Sequence, residues 1–151
     1  VLCVVAVLYF YGSQKLIVNV VTRDGNNINI DYSVTNYSLG ARYIFSRTNL
    51  YSAYVEDMTL NIVIGEKLDP NLVHINKLIV PDLVRLGPFN SMTGSMTIEM
   101  DTNIRFTDLK RLRLSIWILK KVPEPGVDSV TAFNSFLDTY GRRIMADYLL
   151  N

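Results

Sequence analysis

The sequence contains almost no cysteine or histidine: Cys3 and His74 are the only residues of their types. A single cysteine cannot form an intrachain disulfide, which excludes a fold held together by such bridges. The lone histidine lies in a strand-like run with no acidic residue spaced as a partner, which argues against a metal centre. The glycines are isolated and form no phosphate-binding loop. We therefore expect a protein without a metal or cofactor that is not an enzyme.

An excess of charge of one sign is also missing. The chain has 15 basic and 14 acidic residues, for a net charge of +1 at pH 7. This balance gives no overall attraction to nucleic acid, and we expect no nucleic-acid partner. Asn36-Tyr37-Ser38 is the one N-glycosylation sequon.

The one long apolar run opens the chain. Eleven helical residues would span about 17 Å, which is too short for a hydrocarbon core of about 30 Å. Because the sequence begins at Val1 rather than at methionine, we interpret residues 1–12 as the C-terminal part of a transmembrane helix whose remainder precedes it. The anchor residues are Val1, Leu2, Val4, Val5, Val7, Leu8, Tyr9, Phe10 and Tyr11.

Two other interpretations of residues 1–12 remain open. The run could be a buried N-terminal strand or core helix, or the remnant of a signal peptide, although no small-residue cleavage site follows it. With a membrane anchor, lipid contacts the N-terminal helix. Lys15 is the only positive charge just after the run, which favours an exterior, lumenal or periplasmic position for the rest of the chain.

Residues 13–127 predict an antiparallel β-sandwich of about seven strands, or a partly open barrel. Asp24-Gly25 predicts a hairpin turn between two β-prone runs. In the second run, apolar and polar residues alternate as in a strand with one buried face. The runs are 16–22, 28–35, 54–64, 72–80, 92–100 and 109–122, with turns at 69–71 and 86–90 and no firm assignment for 41–54.

After Pro123, residues 128–151 predict an amphipathic C-terminal helix capped by Asp128 or Ser129. Its apolar positions recur at helical spacing: Val130, Phe133, Leu137, Tyr140, Ile144 and Tyr148. We expect this helix to pack on the sandwich domain or to dock a partner.

Basic residues are densest near the end of the predicted sandwich and in the predicted helix. Trp117 shares a strand face with Arg111 and Arg113, so this segment could bind lipid headgroups, an acidic partner or single-stranded nucleic acid. A solvated outer strand face explains the same pattern. The possible interaction surface comprises Lys110, Arg111, Arg113, Trp117, Lys120, Lys121, Arg142 and Arg143.

Three segments carry a family resemblance: 28–36 (Ile-Asn-Ile-Asp-Tyr-Ser-Val-Thr-Asn), 58–65 (Met-Thr-Leu-Asn-Ile-Val-Ile-Gly) and 86–93 (Leu-Gly-Pro-Phe-Asn-Ser-Met-Thr). Following an apolar anchor, this pattern resembles the late-embryogenesis-abundant type 2 domain. The resemblance covers roughly residues 16 to 122. It implies a seven-stranded sandwich after one membrane helix and no enzymatic chemistry. The terminal helix and the Tyr-rich segment depart from the family pattern, and the resemblance transfers no binding residue.

Together these features predict a non-enzymatic, single-span membrane protein. Its sandwich would contact other protein subunits as an accessory or structural part of a membrane-associated assembly. One alternative is a lipid- or small-ligand-binding sandwich in which Met92, Met96 and Met100 line an adaptable cavity. Another is a membrane-bound hydrolase with a dispersed site, which sequence alone does not exclude.

Overall fold

The computed structural model describes residues 14–45, 51–65, 83–101, 103–123 and 130–150. The predicted anchor, Cys3, His74 and the predicted strand 72–80 lie outside these ranges. Within them, no helix is both long and apolar enough to cross a bilayer.

The described part of the chain is mainly β and forms two sheets. The first sheet comprises β1 (Gln14–Asp24), β2 (Asn27–Asn36) and β7 (Ser91–Glu99). The second comprises β3 (Arg42–Phe45), β4 (Tyr51–Glu56), β5 (Thr59–Ile64), β6 (Leu83–Leu86), β8 (Arg111–Leu119) and β9 (Gly141–Leu149). A short 3-10 helix spans Phe106–Asp108, and helix α1 spans Val130–Tyr140.

The first sheet is antiparallel in the order β1-β2-β7. Its hairpin turn lies at the predicted place, with a positive φ of 59° at Gly25. Glycine adopts this conformation without a steric penalty, which explains why the Asp-Gly pair identifies the turn. The predicted alternation in β2 is also confirmed, because Ile28, Ile30 and Val34 are buried.

The second sheet is organised around β8. Strand β9 pairs with β8 along its whole length, while β5 and β3 pair with successive parts of it, and β4 and β6 lie beyond them. The β5–β8 pair is parallel, which corrects the expectation of a purely antiparallel architecture. Parallel neighbours need a long crossover connection, and here that connection includes a strand of the other sheet, β7. No local sequence feature predicts such a pairing.

The inner faces of both sheets contribute to one buried apolar cluster. Each fully buried aliphatic side chain contributes about 1.5–3 kcal/mol to folding, so this cluster is the main source of stability. Met96 is buried in the cluster, and Met92 and Met100 pack against it. Other members are Ile28, Ile30, Val34 and Ile98 from the first sheet and Ile44, Leu60, Ile62, Leu112, Leu114 and Ile116 from the second.

Helix α1 covers only part of the outer face of the second sheet. The rings of Phe133 and Phe45 meet edge to face, with centroids 6.4 Å apart, and Leu137 is completely buried. Along β8, the outward-facing residues change from exposed Arg111 to completely buried Leu119. The end of the sheet around Arg111 is thus left uncovered by the helix.

The predicted helix over 128–151 is wrong beyond Tyr140, because Gly141–Leu149 forms strand β9. Ile144 and Tyr148 are four residues apart, a spacing that suits one face of a helix and one face of a strand equally. Gly141 permits the abrupt change, since a Cβ there would lie 2.6 Å from the Leu137 carbonyl oxygen.

The predicted strand 54–64 is instead a hairpin of β4 and β5. Its two turn residues, Asp57 and Met58, have φ angles of 48° and 58°. A two-residue turn of this kind usually contains glycine, and without glycine no sequence pattern predicts the turn. The predicted strand 109–122 is confirmed in outline as β8, and the predicted turn at 86–90 is confirmed by a hydrogen bond from Asn90 N–H to Gly87 O.

Candidate interaction surface

The part of the second sheet that α1 leaves open forms a continuous outward surface, which we call the uncovered face. Strand register brings its residues together. Arg111 lies opposite Leu149, and Arg113 lies opposite Asp147. Glu56 lies opposite Thr59, which in turn pairs with Arg111. The uncovered face consists of Tyr54, Glu56, Met58, Arg111, Arg113, Met145, Asp147 and Leu149.

A two-point ion pair fixes the charges at the centre of the uncovered face. Arg113 Nε and Nη2 donate to the two carboxylate oxygens of Asp147 at 2.7 and 3.0 Å, and Arg111 Nη1 lies 3.7 Å from Oδ2. The hydrogen bond from Arg113 holds the pKa of Asp147 below its usual range, and the same contact raises the pKa of Arg113. Asp147 is therefore ionised at neutral pH, and the guanidinium of Arg113 has a defined orientation.

A groove of about 400 Å³ borders this ion pair, between the β4–β5 turn and the start of β8. The backbone N–H of Lys110 donates to Met58 O at 2.8 Å, which fixes the turn against the strand. Both signs of charge are present, with carboxylates from the turn and cations from β8. The groove is lined by Glu56, Asp57, Met58, Thr59, Asn61, Lys110, Arg111 and Arg113.

Large apolar side chains surround these charges. Met58 and Tyr54 are each 49% exposed, and Leu149 is 68% exposed. Met58 also has a left-handed backbone conformation, which costs a non-glycine residue about 1–2 kcal/mol. The turn thus holds an exposed apolar side chain at the edge of the groove in a strained conformation.

The structure divides the predicted basic surface between the two ends of β8. Lys110, Arg111 and Arg113 line the groove at the start of the strand. Lys120 and Arg142 line a second cleft at its other end. A nine-residue strand rises about 3.3 Å per residue, so these two sites lie roughly 26 Å apart.

The other predicted surface residues belong to neither site. Trp117 shares the outward face of Arg111 and Arg113, as predicted, but it is half-buried beside Gly141, where the helix ends. Lys121 Nζ lies 4.0 Å from the centre of the Tyr140 ring. Arg143 pairs with Trp117 and therefore faces away from Arg142.

Several residues of these sites are not predicted from the sequence. The pattern predicts a single strand through Tyr54 and Met58 and a helix through Asp147, and neither element would bring these residues near Arg113. Arg42 also lines the second cleft, from the start of β3. The sequence does contain a signal for Arg42, because it lies two residues before apolar Ile44, and alternate residues of a strand share one face.

Asn36 joins the two sheets from a completely buried position. Its Nδ2 donates to the carbonyl oxygens of Gly40, Leu86 and Gly87 at 2.9, 3.2 and 3.1 Å. Its Oδ1 accepts hydrogen bonds from Ser38 and, at 3.3 Å, from Gln14. The sequon asparagine is therefore inaccessible to a glycan in the folded domain.

Among the described residues, no three His, Cys, Asp or Glu side chains come together in a way that could hold a metal ion. No family model, curated protein sequence or solved structure matches the chain.

Proposed function

We propose that this chain is a non-enzymatic, single-span membrane protein whose β-sandwich binds other protein subunits through the uncovered face. In this proposal it is an accessory or structural member of a membrane-associated assembly, with the sandwich on the exterior, lumenal or periplasmic side. The resemblance to the late-embryogenesis-abundant type 2 domain is part of the same proposal. Its main support is the combination of oriented charge and exposed apolar side chains on the uncovered face.

The composition of the uncovered face supports protein contact. Tyrosine, methionine and arginine are enriched in protein interfaces, and arginine and tyrosine are common among the residues that contribute most binding energy. Arg113 is already oriented by Asp147, so little additional side-chain entropy would be lost when a partner binds. A protein partner would also cover Tyr54 and Leu149, which lie in solvent in the isolated chain.

The membrane location rests on the sequence. An apolar run of eleven residues ends three residues before Gln14, where the first sheet begins. The Tyr9-Phe10-Tyr11 sequence has the composition of an interfacial aromatic belt. The sandwich would therefore follow the membrane interface almost directly.

Site-specific photocrosslinking in native membranes tests the proposal. A photoreactive amino acid replaces Tyr54 in one version of the full chain and exposed Thr97, on the outer face of the first sheet, in the control. We expect a discrete protein adduct from position 54 and none from position 97. Equal labelling from both positions, or no adduct from position 54, would contradict it.

A further inference from the structure

A second cleft, of about 400 Å³, lies at the end of the domain where β1 begins. We call it the basic cleft. It is lined by Gln14, Arg42, Ile118, Lys120, Thr139, Gly141 and Arg142.

Three cationic side chains line the basic cleft. Each lies on the inward-facing side of its strand, one inward-facing position beyond the apolar core. Inner-facing Ile118 and Ile44 are opposite each other across β8 and β3. Lys120 lies two residues after Ile118 along the chain, and Arg42 lies two residues before Ile44. On β9, Arg142 pairs directly with Ile118 and stands two residues before buried Ile144. The arrangement is thus built by the strand register of three separate chain segments.

No carboxylate lines the basic cleft. Neither Arg42, Lys120 nor Arg142 forms an ion pair with an acidic group in the part of the chain that the structure describes. Arg42 Nη1 donates to its neighbour Ala41 O at 3.0 Å, which restrains that guanidinium. Like charges held close together repel, and a bound anion would relieve that repulsion.

We propose that the basic cleft binds the phosphate group of an anionic ligand. Arginine presents paired N–H groups that match phosphate oxygens, and lysine adds a compact positive charge. The side chain of Gln14 donates to buried Asn36, so one wall is fixed to the junction of the two sheets. The site is a defined cleft between strands and not a loose patch of surface lysines.

The position of the basic cleft favours a lipid headgroup as the source of the phosphate, and this step rests on the proposed membrane anchor. An apolar run ending at Tyr11 is separated from Gln14 by only Gly12 and Ser13, so the two positions are at most about 10 Å apart. The basic cleft would then lie at the level of the lipid phosphate groups of the leaflet that faces the sandwich, within reach of an anionic headgroup. A soluble phosphate compound would satisfy the same chemistry, and the experiment separates the two sources.

The test uses the full chain in phosphatidylcholine nanodiscs, with backbone amide NMR shifts as the readout. One sample contains a tenth phosphatidic acid, and another receives inorganic phosphate. We expect phosphatidic acid to shift the Ile118, Gly141 and Arg142 amides. Shifts of the same amides with inorganic phosphate alone would support the site but assign it to a soluble ligand. No shift with either probe would overturn the proposal.

Matched variants show whether the charges act as proposed. Arg42→Gln/Arg142→Gln should weaken binding about tenfold or more, which corresponds to about 1.4 kcal/mol or more, because both guanidinium groups that bond the phosphate oxygens are lost. Lys120→Gln, at an exposed position, gives a second test should the double variant fail to fold. Arg143→Gln removes the same charge one residue away on the opposite face and should leave binding intact. Equal binding by Lys120→Gln, the double variant and Arg143→Gln would overturn the proposal.

The same samples distinguish failure of this site from failure of the proposed function. A chain that stays outside the nanodiscs refutes the lipid headgroup as the source of the phosphate, while inorganic phosphate still tests the basic cleft in solution. A chain that binds neither probe but still crosslinks through position 54 refutes the basic cleft alone.

Discussion

The outer faces of the two sheets differ in how their polar groups are satisfied. On the first sheet, neighbouring strands bond to one another through short side chains: Thr35 Oγ1 to Ser91 Oγ at 2.7 Å, Ser95 Oγ to Asp31 at 2.6 Å and Thr97 Oγ1 to Asn29 at 2.7 Å. These cross-strand pairs form a regular polar ladder.

The uncovered face of the second sheet has no such regularity. It combines an ion pair, a groove, exposed apolar side chains and a turn in a strained conformation. Strain of this kind persists only where the surrounding structure maintains it, and it occurs often at functional sites. If the uncovered face binds protein as proposed, the first sheet supports the fold while the second carries the contacts, and the following variants test that division.

The largest expected effect comes from breaking the junction between the sheets. Asn36→Ala should lower the free energy of unfolding by about 3 kcal/mol, because it removes every side-chain hydrogen bond of a completely buried residue and leaves the buried Ser38 N–H without its acceptor. Chemical denaturation of the full chain in mild detergent measures this. Thr35→Ala, one residue away on the ladder, should cost under about 1 kcal/mol. Similar losses of unfolding free energy for both variants would show that the hydrogen bonds of Asn36 do not hold the two sheets together.

The strained turn allows stability and binding to be separated. Met58→Gly should raise the free energy of unfolding by about 1 kcal/mol, because glycine tolerates the left-handed conformation. It should also reduce crosslinking through position 54, since the apolar side chain is lost. Met58→Leu retains the apolar side chain and the strain, and should resemble the parent chain in both assays. A destabilised Met58→Gly variant would refute the strain argument.

The ion pair gives a smaller, pH-dependent effect. Asp147→Asn should lower the free energy of unfolding by about 0.5 kcal/mol at pH 7, since the pair is exposed to solvent and screened. The lowered pKa of Asp147 means that the pair stabilises the folded state above about pH 4 and that this contribution disappears as pH falls through the folded-state pKa.

Denaturation of the Asp147→Asn variant and the parent chain at pH 7 and pH 3 checks that direction. The difference between the two chains should shrink at the lower pH. Asp31→Asn on the ladder is the control, because an asparagine oxygen still accepts the Ser95 hydrogen bond. A difference in the free energy of unfolding between the two chains that grows on acidification would contradict the lowered pKa of Asp147.

The smallest effect is expected on the polar ladder itself. Ser95→Ala removes one exposed hydroxyl, and water can replace its bond to Asp31, so stability should change by less than about 0.5 kcal/mol. Crosslinking through position 54 should be unchanged. A loss of crosslinking would mean that the first sheet also contributes to partner binding.

The sequence predicts those features that depend on local pattern. The hairpin at Gly25 and the buried face of β2 follow from a turn pair and from simple alternation, and both are confirmed. The two-sheet, mainly β fold follows from the same signals. The features that escaped prediction depend on contacts distant in sequence, such as the parallel β5–β8 pair, or on ambiguous spacing, such as that of Ile144 and Tyr148.

Prediction of the candidate sites fails for a related reason. Local density of charge identifies Arg111 and Arg113, but the spacing of apolar residues predicts a helix through Asp147, which orients Arg113. The sequence also predicts Lys120 and Arg142 as surface cations, yet their convergence with Arg42 requires the register of three strands. Charge density indicates which residues are basic, whereas only the fold shows which of them share a site.

The most direct test of protein contact is the mass of the complex that a mild detergent releases from native membranes. We expect a discrete species much larger than the 17.2 kDa chain plus its detergent micelle, with partners in fixed stoichiometry. A particle containing only one copy of the chain would contradict the account.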